Sequence, residues 1–439
     1  MAEPRGLPGV PAPASQRRVL QLVLAHQVSA LSLSLLTMQP RAQLLQRALS
    51  GDSTAVARHV SRSSVLVALC ELLLSPVVGA WSDRAGRRPF MLMAPAVAMP
   101  LKLAAAAWPN TAVLLAERVG TDIFRTMGGT TMAYACLSDL FDGEAYTAAL
   151  GRLNSVSGFG IVCAPLLATA IMGPHGDPSR AYVASAVLAA VHLALGARML
   201  RETKADSKRI TPALVRARHS GEMQTGKLCM YPACLNLFTG TAPLRLSAFL
   251  FSLHCFIEGK VLQDQVSVLQ LSHGWDTRMR SRWTAGLGLA IALGGQATEH
   301  LVKRCGEHGF VALCHAASLA AFLALQRSAF WTSLAFLCLG QQRRSASASW
   351  LISEARHAGI GQGQAVGWVA SLRSAADVSS ALLYGAAYRA AAAQGRPARV
   401  FALPSALVLL AEALRACIAA RRASARGRAG QGPPGALAG

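Results

Sequence analysis

The sequence predicts an all-α membrane protein with about twelve transmembrane helices in two six-helix halves. Of its 439 residues, 53% are hydrophobic and only 15% are charged, whereas soluble proteins carry roughly a quarter charged residues. Apolar runs of about 20 residues recur along the chain, and that length crosses a hydrocarbon layer of about 30 Å. A long basic segment separates two sets of runs. A large soluble enzyme, a disordered chain and a secreted disulfide scaffold are therefore excluded as classes.

The predicted spans fall into two groups of similar size. The first group lies near residues 19–38, 63–82, 89–107, 111–134, 153–173 and 180–200. The second group lies near residues 243–271, 282–302, 309–326, 329–351, 364–388 and 399–420. We divide the chain into an N-terminal half, 19–202, a cytoplasmic central loop, 203–242, and a C-terminal half, 243–420. Residues 1–18 and 421–439 are expected to be disordered cytoplasmic tails because they lack an apolar core of their own.

The placement of the charges favours a membrane protein over a nucleic-acid-binding protein. The chain has 43 basic and 21 acidic residues, a net charge of +22. Many of the basic residues cluster between apolar runs, as in the stretches 84–88, 198–227 and 421–428. Loops with such clusters stay on the cytoplasmic side. We expect a monomeric multi-pass protein in the plasma membrane or an organellar membrane, with both termini in the cytoplasm and no nucleic-acid partner.

The sequence offers no pattern for catalysis, metal binding or a cofactor. Most of the ten cysteines fall in or beside apolar runs, where cysteine behaves as a small hydrophobe. Cys229 and Cys234 share a polar loop, but no second pair with metal-ligand spacing accompanies them. A nucleophile with its base and a phosphate-binding loop are also missing from the pattern. We predict no catalytic residue, no metal site and no cofactor, and the protein is not expected to be an enzyme.

The loop after the second span carries the most specific motif, with the spacing G-x-x-x-D-R-x-G-R-R. Its residues are Gly79, Asp83, Arg84, Gly86, Arg87 and Arg88. Gly79 allows another helix to approach closely, and Gly86 permits a tight turn. Asp83 is an acid where the helix meets water, and the paired arginines anchor the loop in the cytoplasm.

With this loop the chain resembles the major facilitator superfamily, and more narrowly the tetracycline-resistance efflux branch and the related hippocampus-abundant-transcript-like proteins. The resemblance covers about residues 19–420. In span five, Gly158, Gly160 and Pro165 are similar to the antiporter motif of that branch. The stretch from Lys303 to Glu307 lies where the second half carries a weaker copy of the loop motif. The resemblance implies the major facilitator fold and a role for Asp83 and its arginines as a conformational latch.

Six charged residues within the predicted spans are candidates for a substrate or proton pathway, because charge at mid-membrane is costly and usually faces a watery interior. They are Glu71, Arg118, Asp122, Arg125, Arg373 and Asp377. Helical spacing places the three residues of span four on one stripe, where Asp122 can pair with either arginine. A purely structural role for these pairs remains open. Lower-ranked candidates are Lys102, Glu117, Lys260, Asp264, Glu299, Arg343, Arg344 and Glu412. His192, His254 and His315 are interpreted as packing residues.

The predicted function is secondary active transport of a small organic solute by alternating access, with protons as a possible second partner and efflux as the direction that the resemblance implies. The alternative is a receptor or scaffold that keeps the fold without transporting. Two departures from the efflux branch keep this alternative open. The first span lacks an acid, and Pro165 is followed by Leu-Leu-Ala in place of a glycine pair.

Overall fold

The computed structural model describes residues 13–49, 53–172, 177–200, 202–203, 233–260, 265–266, 269–270, 273–275 and 277–430. These residues form a bundle of helices. In the N-terminal half the helices are α1 (Pro13–Leu35), α2 (Met38–Ala48), α3 (Ser53–Ala85), α4 (Arg88–Ala107), α5 (Thr111–Arg125), α6 (Met132–Leu140), α7 (Gly143–Met172) and α8 (Pro178–Met199). In the C-terminal half they are α9 (Ala242–Lys260), α10 (Thr277–Gln326), α11 (Phe330–Gly340), α12 (Arg343–His357), α13 (Gln362–Ala393) and α14 (Ala402–Gly430).

Local sequence explains where several helices begin and bend. Asn110 and Asp177 start α5 and α8 by accepting backbone N–H groups of Val113 and Ser179, the usual role of a side-chain N-cap. A π-helical turn, Thr126–Thr131, joins α5 to α6 in one continuous rod. The long helix α10 is interrupted at Gly306, where φ is 67° and ψ is 170°.

Several helices extend beyond the predicted spans. Helix α1 already begins at Pro13, and α14 continues to Gly430, so both enter the predicted tails. Helix α7 begins at Gly143, ten residues before the predicted span, and the short helix α2 follows the first span. Among the described residues, seven helical stretches are long and apolar enough to cross a membrane. The count of twelve spans therefore stays a prediction, as does the division into domains. Most of the predicted central loop lies outside the described residues.

Two glycine-lined seams join the halves. In one, α3 packs on α13 so closely that a Cβ on Gly79 would lie 2.1 Å from the carbonyl oxygen of Gly363. In the other, α7 packs on α10, and a Cβ on Gly158 would lie 2.5 Å from the carbonyl oxygen of Gly288. Such distances leave no room for a side chain. The two seams therefore hold the halves backbone against backbone.

Candidate functional site

Asp83 connects the two halves at one end of the bundle, which we call the motif end. Its carboxylate accepts the backbone N–H groups of Gly363 and Gln364, both at 2.9 Å. These residues begin α13, and the first N–H groups of a helix have no partner within it. A buried carboxylate at this position also opposes the positive end of the helix dipole. Asp83 thus acts as an N-cap supplied by the opposite half.

Arg87 binds Asp83 from the other side. Its guanidinium lies 2.9 Å from Asp83 Oδ1 and 3.0 Å from Asp139 Oδ2, and it also donates to the Ser82 hydroxyl. Burial disfavours the charge, but Asp139 and Asp83 together raise the pKa of Arg87 above its ordinary value. The result is a buried, charge-assisted network that depends on the planar fork of arginine.

The other motif residues shape the turn. Gly86 has a φ of 94°, and a Cβ there would lie 2.2 Å from the carboxylate of Glu202. The same carboxylate accepts the backbone N–H group of Arg88 at 3.2 Å. Arg84 and Arg88 have exposed side chains. Gly86 is therefore required both for the turn and for the approach of Glu202.

A second contact at the motif end joins α6 and its loop to the start of α13. Arg356 pairs with Asp142 and donates to the carbonyl oxygen of Ser138 at 3.2 Å. The Gln362 amide donates to the same carbonyl at 2.9 Å. Ser138 and Asp142, which follow span four, therefore bind residues of the opposite half of the molecule.

A cleft of about 500 Å³ lies at the motif end beside α7 and α10. Its lining includes Glu144, Arg152, Glu299 and Lys303. Glu299 pairs with Arg152 across the halves and with Lys303 at 2.8 Å within α10. Glu299 is thus a surface partner of the seam and lies apart from the central charges.

The three charges of span four lie together, as their spacing predicts. Asp122 Oδ2 is 3.9 Å from Arg118 Nε, and Asp122 Oδ1 is 3.7 Å from Arg125 Nε. The three side chains are 17–27% exposed. These are long ion pairs on partly accessible groups, and they lie further apart than the charge-assisted pairs at the motif end.

Glu71 lies between the halves. Its carboxylate accepts the Thr126 hydroxyl at 2.5 Å and lies 3.4 Å from the Ser374 hydroxyl, whose proton is shared with the Ala370 carbonyl oxygen at 3.2 Å. Thr126 belongs to the N-terminal half and Ser374 to α13 of the C-terminal half. Arg125 and Arg373 are among its electrostatic neighbours. The carboxylate of Glu71 therefore contacts both halves.

In α13, Arg373 Nε lies 3.7 Å from Asp377 Oδ2, and both side chains are partly exposed. Arg373 and Asp377 also face Glu258 of α9 electrostatically. Glu71 has both Arg373 of this pair and Arg125 of span four as electrostatic neighbours, so the pair lies near the span-four charges. Asp264 and the side chain of Lys260 lie outside the described residues.

The span-five motif residues lie in α7. Gly158 forms part of the seam, and a Cβ on Gly160 would lie 3.3 Å from the Leu31 side chain. Pro165 lies five residues further along the same helix.

Sequence analysis missed Arg41, which lies between the first two predicted spans. Arg41 begins the second turn of α2 and contacts Glu117 at 3.0 Å, while Lys102 contacts the same carboxylate at 3.0 Å. All three side chains are nearly fully buried. Loss of Glu117 would leave both buried cations without this carboxylate and would strongly destabilise the fold. The short helix α2, which hydropathy does not reveal, is what brings Arg41 inward.

Sequence analysis also missed Glu258, the partner of two lower-ranked arginines. Glu258 is 4% exposed and lies 3.5 Å from Arg343 and 3.4 Å from Arg344. Arg343 also donates to the hydroxyl of Ser318. These three groups carry a net positive charge, and Glu258 faces Arg373 and Asp377 electrostatically.

The three histidines interpreted as packing residues belong to two pairs, whose fourth member is His26. His26 and His192 lie 2.8 Å apart in the N-terminal half, and His254 and His315 lie 2.8 Å apart in the C-terminal half. Each pair joins helices far apart in sequence. A single sequence carries no signal for such pairing.

The fold and the paired halves define an all-α membrane protein of the transporter type. A family model described as the Major Facilitator Superfamily matches residues 42–393. The chain belongs to this superfamily.

The chain is also similar to individual proteins of known name. It is 31% identical over 160 residues to tetracycline resistance protein, class C, of Escherichia coli, which covers 36% of this chain and 39% of that protein. It is 31% identical over 182 residues to solute carrier family 67 member A1 of Homo sapiens, which covers 40% of each chain. The matched region thus spans less than half the length of these curated relatives.

Solved structures share the fold over nearly the whole chain. The human organic anion transporter MFSD10 (TETRAN) aligns with a TM-score of 0.74 at 19% identity, covering 92% of this chain and 100% of that one. The E. coli fucose:proton symporter FucP aligns with a TM-score of 0.69 at 12% identity, covering 92% and 98%. At these identities the likeness shows the fold alone.

Proposed function

We propose that the protein is a secondary transporter of a small organic solute and that Glu71 carries a coupled proton. The observation that carries this proposal is the position of Glu71, which accepts one hydroxyl from each half. When the halves rock apart, one of these hydrogen bonds breaks. The affinity of Glu71 for a proton then depends on which side of the membrane is open, and this dependence is the requirement for coupling.

The charges around Glu71 suggest the class of solute. Three arginines, Arg118, Arg125 and Arg373, face three carboxylates, Glu71, Asp122 and Asp377. These six charges sum to zero when Glu71 is ionised, and the neighbouring group of Glu258, Arg343 and Arg344 adds +1. A proton on Glu71 raises the positive charge further, and a monovalent organic anion offsets the charge of that proton, so we propose an organic anion as the solute. The named substrate class of the human structural neighbour, organic anions, agrees with this proposal.

Asp83 and Arg87 act in this proposal as the latch predicted from the motif. Their network links α3, α4 and α6 to the start of α13. It must break when the motif end opens, so it stabilises the state closed at that end. We place the motif end in the cytoplasm, in accordance with the basic residues around it.

Flux in sealed vesicles containing the purified protein tests the proposal. We expect uptake of labelled organic monoanions to rise when the outside is acidified, and Glu71→Gln to lose this dependence while exchange of solute across equal pH continues. Glu144→Gln is the matched control, because Glu144 is an exposed carboxyl at the motif end. Uptake that falls under the same gradient, with efflux stimulated, indicates exchange against protons, the efflux mode. Absence of flux for a broad panel in folded protein favours the receptor or scaffold alternative.

A further inference from the structure

We propose that Ser347, His254, His315 and Glu412 form a second proton-binding site within the C-terminal half. The four side chains make one continuous chain of hydrogen-bonding groups. Ser347 Oγ lies 2.9 Å from His254 Nδ1, His254 Nε2 lies 2.8 Å from His315 Nε2, and His315 Nδ1 lies 2.8 Å from Glu412 Oε2. They come from α12, α9, α10 and α14, so the chain crosses four helices.

When Glu412 is ionised, all three hydrogen bonds of this chain form in the same direction, from Ser347 towards Glu412. Ser347 donates its hydroxyl proton to His254 Nδ1, His254 donates from Nε2 to His315 Nε2, and His315 donates from Nδ1 to the Glu412 carboxylate. Each histidine is neutral and carries one proton, because a neutral imidazole has one donor and one acceptor nitrogen.

One added proton reverses the chain without breaking any of its contacts. Protonated Glu412 donates to His315 Nδ1, His315 donates from Nε2 to His254 Nε2, and His254 donates from Nδ1 to Ser347 Oγ. The Ser347 hydroxyl then donates to the carbonyl oxygens of Arg343 and Arg344, which lie 3.3 and 3.1 Å away. Both ends can donate and accept, so the chain accommodates either three or four protons. Arg415 donates to both carboxylate oxygens of Glu412, at 2.7 and 2.5 Å, and these oxygens can accept from Arg415 in either state. The added proton can also rest on His315, which then forms an ion pair with Glu412.

The histidine pair in the N-terminal half lacks this property. His26 Nε2 lies 3.0 Å from the carbonyl oxygen of Gly128, which accepts only, so His26 must donate there. His26 Nδ1 then accepts from His192 Nε2. His192 Nδ1 is buried, and among the described residues it has no hydrogen-bond partner. An extra proton would leave a buried N–H group unpaired, which is costly. This pair is therefore a fixed neutral pair and a natural control.

The charges that face the C-terminal pair connect it to the solute site. Arg343 and Arg344 of α12 and Glu412 and Arg415 of α14 are its charged neighbours. The two α12 arginines also hold Glu258. Glu258 in turn faces Arg373 and Asp377, so a proton on the pair adds positive charge to this group and favours the binding of an anion there. A proton at this site would therefore favour anion binding, as a proton on Glu71 does in the proposed function. The second site is inferred from the hydrogen-bond geometry of its own four residues.

Nitrogen-15 NMR of the solubilised full-length protein, labelled at histidine, tests the proposal without any solute. The four signals are assigned with His26→Gln, His192→Gln, His254→Gln and His315→Gln. We expect the signals of His254 and His315 to shift between pH 5 and 8, and those of His26 and His192 to stay constant. In Glu412→Gln the shift should disappear, because the chain has lost the carboxylate that either takes up the proton or neutralises it on His315.

Signals of His254 and His315 that are as constant as those of the other pair would overturn the proposal, and so would an unchanged titration in Glu412→Gln. If Glu412→Gln does not fold, Ser347→Ala gives the same decision, since the reversed chain needs the Ser347 hydroxyl as acceptor. Once a solute is known, His315→Gln should reduce the stimulation of flux by a pH gradient and His192→Gln should not. A failure of the transport proposal leaves the NMR result unaffected.

Discussion

The loop between α3 and α4 and the bend within α10 share a glycine with positive φ, but the residues around that glycine carry opposite charges. Each contains a glycine with positive φ, 94° at Gly86 and 67° at Gly306. When these glycines are aligned, Lys303 takes the place of Asp83. Asp83 is buried on the start of α13, whereas the Lys303 side chain is 68% exposed and pairs with Glu299 of its own helix.

The residue after the glycine is also reversed. Glu307 takes the place of Arg87, and its carboxylate accepts the Thr147 hydroxyl at 2.5 Å and the Trp350 indole N–H at 2.6 Å. Thr147 lies near the start of α7 in the other half, so this carboxylate also reaches across the seam. Its two described donors are neutral, however, so these charge-assisted bonds lack the ion pair that Asp83 forms with Arg87. Closure of the motif end is therefore expected to depend mainly on the first loop.

Four substitutions test this difference. The readout for three of them is the alkylation rate of a cysteine at Ser75, which is fully buried where α3 meets α13. The rate reports the fraction of molecules open at the motif end. The background lacks the exposed thiols Cys305 and Cys417.

Asp83→Asn should have the largest effect. It removes the negative charge that both Arg87 and the start of α13 use, and breaking a buried pair costs about 3 kcal/mol or more. The open fraction, and with it the alkylation rate, should rise about 100-fold. Lys303→Gln, the matched change in the second loop, should alter the rate less than about twofold, since exposed pairs contribute little. Similar effects of the two variants would contradict the comparison.

Gly306→Ala should destabilise the fold by about 2 kcal/mol. Its φ of 67° and ψ of 170° place it in a region that is nearly exclusive to glycine and costs other residues about 1–3 kcal/mol. Chemical denaturation of the solubilised protein measures the change. Gly385→Ala is the control, because a Cβ there meets only the Arg389 side chain at 3.8 Å. An unchanged free energy of unfolding in Gly306→Ala would show that the bend relaxes.

Glu307→Gln should raise the alkylation rate at position 75 about 30-fold. The amide oxygen still accepts one of the two donors, but the charge is lost, so the loss corresponds to about 2 kcal/mol, within the range for hydrogen bonds to charged groups. The comparison with Asp83→Asn is the informative one. An effect as large as that of Asp83→Asn would mean that the sign of the charge does not decide the strength of the latch.

Thr147→Val should have the smallest effect, an increase of about tenfold. Glu307 keeps its charge and its bond from Trp350, and the lost bond to the carboxylate is worth about 1.5 kcal/mol. Ser157→Ala serves as control, because the described hydrogen bond of Ser157 stays within α7, to Leu153. An increase as large as that of Glu307→Gln would show that this contact holds the second loop alone.

Local patterns in the sequence predicted much of the fold and part of the candidate site. Hydropathy located most of the spans, and the spacing of Asp83, Gly86 and Arg87 indicated the loop. Helical periodicity correctly paired Asp122 with its two arginines. Each of these signals depends on residues close together in the chain.

The remainder depends on contacts between distant segments. Arg41 reaches Glu117 across 76 positions, and His254 reaches His315 across 61. Hydropathy records such residues only as isolated polar positions in apolar runs. The contact of Asp83 with α13 was hidden for the same reason, although the motif itself was plain.

The π-helical turn Thr126–Thr131 gives the rod formed by α5 and α6 an unusual tolerance of changes in length. Such a turn holds one residue more than an α-helical turn, and one residue corresponds to about 100° of rotation. Loss of one residue within 126–131 would convert the turn to regular α-helix and leave Asp122 and Asp139 on their present faces. Loss of one residue within α6 would rotate Asp139 away from Arg87. Length variants of this rod are therefore expected to accumulate at the π-helical turn.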